Sequence, residues 1–253
     1  MLNVSKLNNT VGRAIMQQLC PDTRNLSTFI TMVISIVTAR NAQLSAWISW
    51  LPENIKSGSR IRRLTRWLGN SSIEPHAWYA TIFRYAVREW TQMPIYLVLD
   101  TSMLYDRFCC VRISMIYINR AIPTTWCVLE HNSSTVKYAQ YAYLLERVVE
   151  LLPREADVFF LADRGFVCKD LMRYLQQLKW TLRIRVKGNQ KLQTVKGFIT
   201  PKMLPLSMGK VLLFSRNMNF GKGLERISLS AGWAKGSQEP WLNTALQIRH
   251  LGR

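Results

Sequence analysis

Carboxylates are the scarce charge in this chain. Fifteen Asp and Glu stand against 34 Lys and Arg in 253 residues, a formal charge of +19. An imbalance of that size speaks to partners and not to fold: a basic globular protein suits a polyanion, nucleic acid first and an acidic membrane surface second. Cysteine is sparse too. Cys20, Cys109, Cys110, Cys127 and Cys168 make an odd number with no Cys-x-x-Cys spacing, which argues against a disulfide framework or a zinc knuckle and for a reducing compartment. Long hydrophobic runs are missing as well. The longest, Phe29–Ala39, is about 11 residues and is interrupted by Thr31 and Ser35, short of the ~20 that a membrane helix needs. Met1–Gln18 is polar and mixed, without a basic stretch leading into an apolar one. These absences set the expectation of a cytoplasmic protein with no membrane partner.

What is present suffices for a core, since hydrophobic residues make up 48% of the chain. The basic excess is uneven. Residues 1–92 carry 11 basic and 4 acidic side chains, residues 93–190 carry 13 and 9, and residues 191–253 carry 10 and 2. Basic flanks around a carboxylate-bearing centre suit an enzyme that grips a polyanion and works on it with metal.

Residues 1–92 read as all-helical. Apolar positions recur at helical spacing through residues 26–50 (Leu26, Phe29, Ile30, Val33, Ile34, Val37, then Leu44, Trp47, Ile48) until Pro52 and Ser57-Gly58-Ser59 break the pattern. Arg60–Leu68 forms a short helix with Ile61, Leu64, Trp67 and Leu68 on one face and Arg60, Arg62, Arg63 and Arg66 on the rest, capped near Gly69-Asn70. A third helix starts at Pro75 and runs to about Trp90. Past Pro94 the period changes. Ile95–Leu99 is a continuous apolar run ended by Asp100, read as a strand buried on both faces. Cys109–Ile118 and Ala121–Leu129 form a hairpin, Lys137–Leu152 a helix, and Val158–Ala162 a second buried strand ended by Asp163. A helix at Lys169–Leu178 and a strand at Trp180–Val186 complete a β-β-β-α-β-α-β order. Residues 191–236, rich in Gly, Lys and Ser, read as a β-rich excursion and not as more of the same sheet, so that residues 191–253 make a basic β-rich insertion and a return strand with the core incomplete.

Asp100 and Asp163 carry the chemistry. If their strands are parallel neighbours, about 4.8 Å apart, the two carboxylates meet at the C-terminal edge of the sheet. Carboxylates so close repel one another, and a divalent cation relieves that; Mg²⁺ takes carboxylate, water and phosphate oxygens. A strand-end Asp alone equally serves as a cap for the next helix or turn, so the matched pair in a basic chain is what favours the metal. Arg60, Arg62, Arg63 and Arg66 form either a grip on DNA phosphates or a solvated helix face; the local lack of acidic partners favours DNA. Arg164, Arg185 and Lys187 lie just past strand ends, within reach of phosphates at such a site or as plain surface charge.

Five motifs carry a family resemblance across roughly residues 26–242. Leu97-Val98-Leu99-Asp100-Thr101-Ser102, Val128-Leu129-Glu130-His131, Leu161-Ala162-Asp163-Arg164-Gly165-Phe166, Arg185-Val186-Lys187-Gly188-Asn189 and Glu239-Pro240-Trp241 stand in the order of the bacterial insertion-sequence transposases of the DDE type, which the chain resembles. The resemblance implies an α/β fold: a ribonuclease H-like mixed sheet with a β-rich insertion, preceded by an all-helical DNA-binding domain. It also implies Mg²⁺-dependent (or Mn²⁺-dependent) cleavage and strand transfer at double-stranded transposon ends, on which the protein acts as a homodimer. Asp100 and Asp163 match the first two catalytic carboxylates, and the motif positions give Arg164, Arg185 and Lys187 DNA or active-site roles.

The family's third carboxylate is a Glu on a late helix. After Asp163 only Asp170, Glu225 and Glu239 remain, none in such a helix. The resemblance therefore implies a C-terminally truncated transposase with impaired cleavage and an apolar face left bare near Trp180–Val186 or Trp241–Leu242. The alternative is a non-catalytic DNA-binding regulator derived from a transposase.

Overall fold

The computed structural model describes residues 13, 15, 23–51, 56–91, 93–194, 197–205, 207–219, 224, 227–232 and 245–248. The chain divides into two compact units, Met1–Ala86 and Val87–Arg253.

In the first unit the described residues are helical. Helix α1 spans Thr23–Ala39, α2 spans Ser57–Leu68 and α3 spans Pro75–Val87. The hydroxyls that interrupt the apolar pattern of α1 are satisfied inside it: those of Thr28, Thr31, Ser35 and Thr38 each donate to the carbonyl four residues back. That leaves Leu26, Ile30 and Ile34 free to pack one core and Met32 another with Trp47, Leu51 and Leu64. Phe29, Trp67 and Trp78 close the space as a three-ring cluster with centroids 5.3–5.8 Å apart. Two expectations change. The helical pattern over residues 26–50 is broken at Arg40, whose φ of 51° ends α1, and resumes only as the turn Leu44–Trp47. Ser57–Ser59, expected to break a helix, instead forms the first turn of α2, where backbone N–H groups need no intrahelical partner.

The second unit is built on a mixed sheet with helices. Strands β1 (Ile95–Leu104), β2 (Phe108–Tyr117), β3 (Arg120–Glu130), β4 (Val158–Ala162) and β5 (Thr181–Arg185) alternate with helices α4 (Tyr138–Leu151) and α5 (Lys169–Gln177). Beyond them come β6 (Leu192–Thr194), β7 (Gly197–Ile199), β8 (Val211–Met218), β9 (Ile227–Gly232) and β10 (Ala245–Ile248). The main sheet has 8 strands in the order β3-β2-β1-β4-β5-β10-β9-β8, with β1, β4 and β5 parallel and β2, β3, β8, β9 and β10 paired antiparallel to their neighbours. Positive φ at Tyr105-Asp106 and at Ile118-Asn119 closes the two hairpins that set the β1–β2 and β2–β3 registers.

The sequence reading of residues 191–236 as separate from the main sheet does not hold: the chain returns to the β5 edge through β10, β8 and β9 extend the sheet beyond it, and among the described strands only β6 and β7 stand apart as a two-stranded ribbon. Short apolar stretches reveal a strand but not its partner, since pairing is fixed by backbone edges brought together in three dimensions. The reading of β1 as buried on both faces also changes. Ile95, Leu97 and Leu99 are buried, along with Phe160, Leu182 and Ile184 on neighbouring strands, on the side where α4 and α5 pack. The alternate residues Tyr96 (38% exposed), Val98 and Asp100 face the other way. Tyr96 and Ile116 are among the exposed apolar side chains, whereas the expected bare face at Trp180–Val186 is not found, since Trp180, Leu182, Ile184 and Val186 are all buried. Trp241–Leu242 lies outside the described residues. No helix among those described is long and apolar enough to cross a membrane.

Candidate active site

Strands β1 and β4 are parallel neighbours in register from Ile95 opposite Val158 to Leu99 opposite Ala162. The next residue on each is Asp100 and Asp163. Asp100 does not end its strand as expected, because β1 runs on to Leu104 to pair with β2; Asp163 follows β4 directly, still extended at φ −81° and ψ 169°. Side-chain alternation then puts both carboxylates on the face of Val98 and Leu161, opposite the helices. The sheet brings them side by side.

Neither Asp acts as a cap. Asp100 sits within a strand, and the Asp163 side chain makes no capping bond to the turn Arg164–Phe166 that it precedes. Each carboxylate instead meets a guanidinium from a flanking strand. Arg112, directly opposite Asp100 on β2, approaches it at 3.4 Å, and Arg185, at the end of β5, approaches Asp163 at 3.5 Å. The side chains are 39–54% exposed, so the pairs are long, solvated and weakly held. Arg183, two residues before Arg185, lies over the Phe159 ring at 5.9 Å, and that ring stacks on Tyr96 at 5.0 Å. A cavity of about 370 Å³ opens beside Asp100, with Arg112, Asn119 and Arg120 among its polar lining and Val98, Ile116 and Ala121 among its apolar lining. The face thus alternates acid and base: two carboxylates in the middle, guanidiniums on either side.

Two adjacent, half-exposed carboxylates are a donor set that suits one Mg²⁺ or Mn²⁺ ion, which takes one or two protein carboxylates and completes its shell with water and phosphate oxygens. Among the described residues there is no group of three or more His, Cys, Asp or Glu able to hold a metal. Asp170 lies in the first turn of α5 and pairs with Arg173 at 3.4 Å, while Glu225 and Glu239 lie outside the described residues.

The other residues singled out from the sequence fall in several places. Arg185 joins the pair. Arg164 follows Asp163 in an exposed turn, and Lys187 is exposed two residues past β5. His131 is a turn residue, its Nδ1 2.7 Å from the Ser133 carbonyl and 3.1 Å from the Ser133 amide. Arg60, Arg62, Arg63 and Arg66 all lie on α2 in the helical unit, but Arg60 donates to the Ile48 carbonyl at 3.0 Å and so ties α2 to its own fold. Sequence reasoning missed Arg112. Its signal was there: Cys109, Val111, Ile113 and Met115 hold the core parity of β2, so an Arg at 112 must face the Asp side once the hairpin register is known.

Neither a protein-family model nor a curated protein matches the sequence. Among solved structures the chain is similar to a piggyBac transposase in a synaptic complex with hairpin DNA, at a TM-score of 0.47 and 12% identity. The match takes in 96% of this chain and 57% of that one, so this chain spans little more than half of that protein's length.

Proposed function

We propose that the chain is a DNA transposase of the DDE type, with a ribonuclease H-like core in which Asp100 and Asp163 hold Mg²⁺ for phosphodiester cleavage and strand transfer at double-stranded transposon ends. The observation that carries this reading is the parallel β1–β4 register, which sets two carboxylates next to each other on the open face of the sheet in a chain of charge +19. The strand order β3-β2-β1-β4-β5, with β2 antiparallel to β1, supports the ribonuclease H-like reading of the core. Bound Mg²⁺ would supply Lewis-acid stabilisation of the charge developing on the phosphate oxygens. This chain's own residues do the rest. Arg112, Arg183 and Arg185 line the same face, where a DNA phosphate can take over their charge from Asp100 and Asp163 and leave those carboxylates open to a cation. Arg164 and Lys187 extend the basic rim. Among the described residues no third carboxylate joins Asp100 and Asp163, and a second copy on the DNA is one source for it. Cleavage by this chain is accordingly weak.

A second reading, a DNA-binding regulator without catalysis, draws on the pairing of both carboxylates with Arg and on the absence of a third acidic partner among the described residues. Metal binding separates the two. Mn²⁺ should bind the full chain, and Asp100→Asn and Asp163→Asn should each weaken it at least 10-fold (about 1.4 kcal/mol) while leaving duplex-DNA binding in place. Equal Mn²⁺ binding by the parent and both variants, or none by the parent, would overturn the catalytic reading and leave the regulator. Nicking of transposon-end DNA in Mn²⁺, lost in both variants, would add the activity itself.

A further inference from the structure

The four arginines of α2 do not act alike, and a cavity in the helical unit separates them. Between α1 and α2 the structure holds an open pocket of about 730 Å³. Its α2 side is lined by Ser59, Arg63 and Arg66 and, just past the helix end, Asn70. Those positions are spaced by four, three and four residues, one stripe along a helix. Its α1 side presents Arg24, Ser27 and Thr28, one turn at the start of that helix. Among the described residues that line it, Arg60 and Arg62 are not present and neither is a carboxylate.

Thr28 fixes the geometry. It is buried, and its hydroxyl donates to the Arg24 carbonyl at 3.1 Å and accepts from Arg63 Nε at 3.2 Å and Nη2 at 3.0 Å. The Arg63 fork is thereby held against α1. Trp67 lines the pocket as well, its indole N–H donating to the Asn25 carbonyl at 3.0 Å. Arg24, Ser27, Ser59 and Arg66 are exposed at the opening. Three guanidiniums, two serine hydroxyls and two amides around one concavity make a set of donors that matches a phosphate oxyanion.

We propose that this pocket is a phosphate-binding cradle that takes a backbone phosphate of duplex DNA through Arg24, Arg66 and Arg63, the last oriented by Thr28. The inference rests on the functional reading above for the identity of the polyanion. It adds Arg24, Ser27, Ser59 and Asn70 to the contact surface and removes Arg60 from it.

The test is the salt dependence of duplex-DNA binding by the full chain. Each phosphate contact contributes about 0.9 to the slope of log affinity against log salt, so Arg24→Ala or Arg66→Ala should shrink the affinity lost between about 50 and 200 mM salt roughly 3.5-fold. The control is Arg40→Asn, which removes one exposed positive charge outside the pocket and keeps a residue that tolerates the positive φ there. Pocket variants that flatten the slope while Arg40→Asn does not would support the cradle. Pocket variants that match Arg40→Asn, in a parent that binds DNA, would overturn it and leave the functional reading standing. A parent that does not bind duplex DNA at all would overturn both. A further arm compares inorganic phosphate with chloride at equal ionic strength. Selective displacement by phosphate in the parent, absent from both variants, would replace DNA with a small free phosphate as the occupant.

Discussion

Arg112 and Arg185 compete with a cation for the same two carboxylates, so removing either guanidinium should tighten metal binding. The perturbations are Arg112→Gln and Arg185→Gln, which keep the length of a polar side chain and lose the charge. Arg112 lies 3.4 Å from Asp100 with side chains 39% and 52% exposed, and Arg185 lies 3.5 Å from Asp163 with side chains 48% and 54% exposed. Ion pairs of that length and exposure are worth about 0.2–1 kcal/mol, which is the energy a cation must displace. Each single variant should therefore bind Mn²⁺ about 1.4- to 5-fold more tightly, and the double variant about 2- to 30-fold if the two pairs act independently. Loss of a positive charge beside an incoming dication adds in the same direction. The assay is calorimetric titration of Mn²⁺ into the DNA-free full chain. Arg107→Gln, which breaks the 2.8 Å pair with Glu130 instead, should leave the affinity unchanged. Unchanged or weaker binding in both site variants would refute the competition and, with it, the idea that these two Asp hold the ion.

Phe160 is fully buried at the centre of β4 and stacks on Trp180 at 6.2 Å, so Phe160→Ala should destabilise the sheet unit by about 3–5 kcal/mol, read from urea unfolding; a loss under about 1 kcal/mol would place the core elsewhere. Burial pushes the Tyr141 phenol well above its ordinary value of 10.0, where it packs edge-on against Phe166 at 5.8 Å. The unfolded chain then releases this proton first. Stability is fully present below about pH 10 and falls as pH rises beyond it, and Tyr141→Phe should remove part of that alkaline loss; an identical pH slope in parent and variant would refute the linkage.

The sequence by itself determined a good deal. Period alone located the helices and the core strands to within a few residues, because burial of one helix stripe or one strand face leaves a direct trace in residue order. It also located Asp100 and Asp163, since a carboxylate at the end of an apolar run is conspicuous. Only the tertiary structure decided what surrounds them. That β1 and β4 are parallel neighbours, that the carboxylates share a face, and that Arg112 stands opposite Asp100 are facts of register, set by hairpin turns and a crossover helix that no single strand encodes. The same holds for β8 and β9, read as a separate excursion but joined through β10 to the β5 edge, where the unpaired backbone of one strand was available to another. It holds equally for α2. Its sequence shows four arginines on a polar face, yet whether each points into the pocket with Arg24 or back onto Ile48 depends on where α1 lies, and α1 is placed by the packing of Leu26, Phe29 and Ile30, not by any charge.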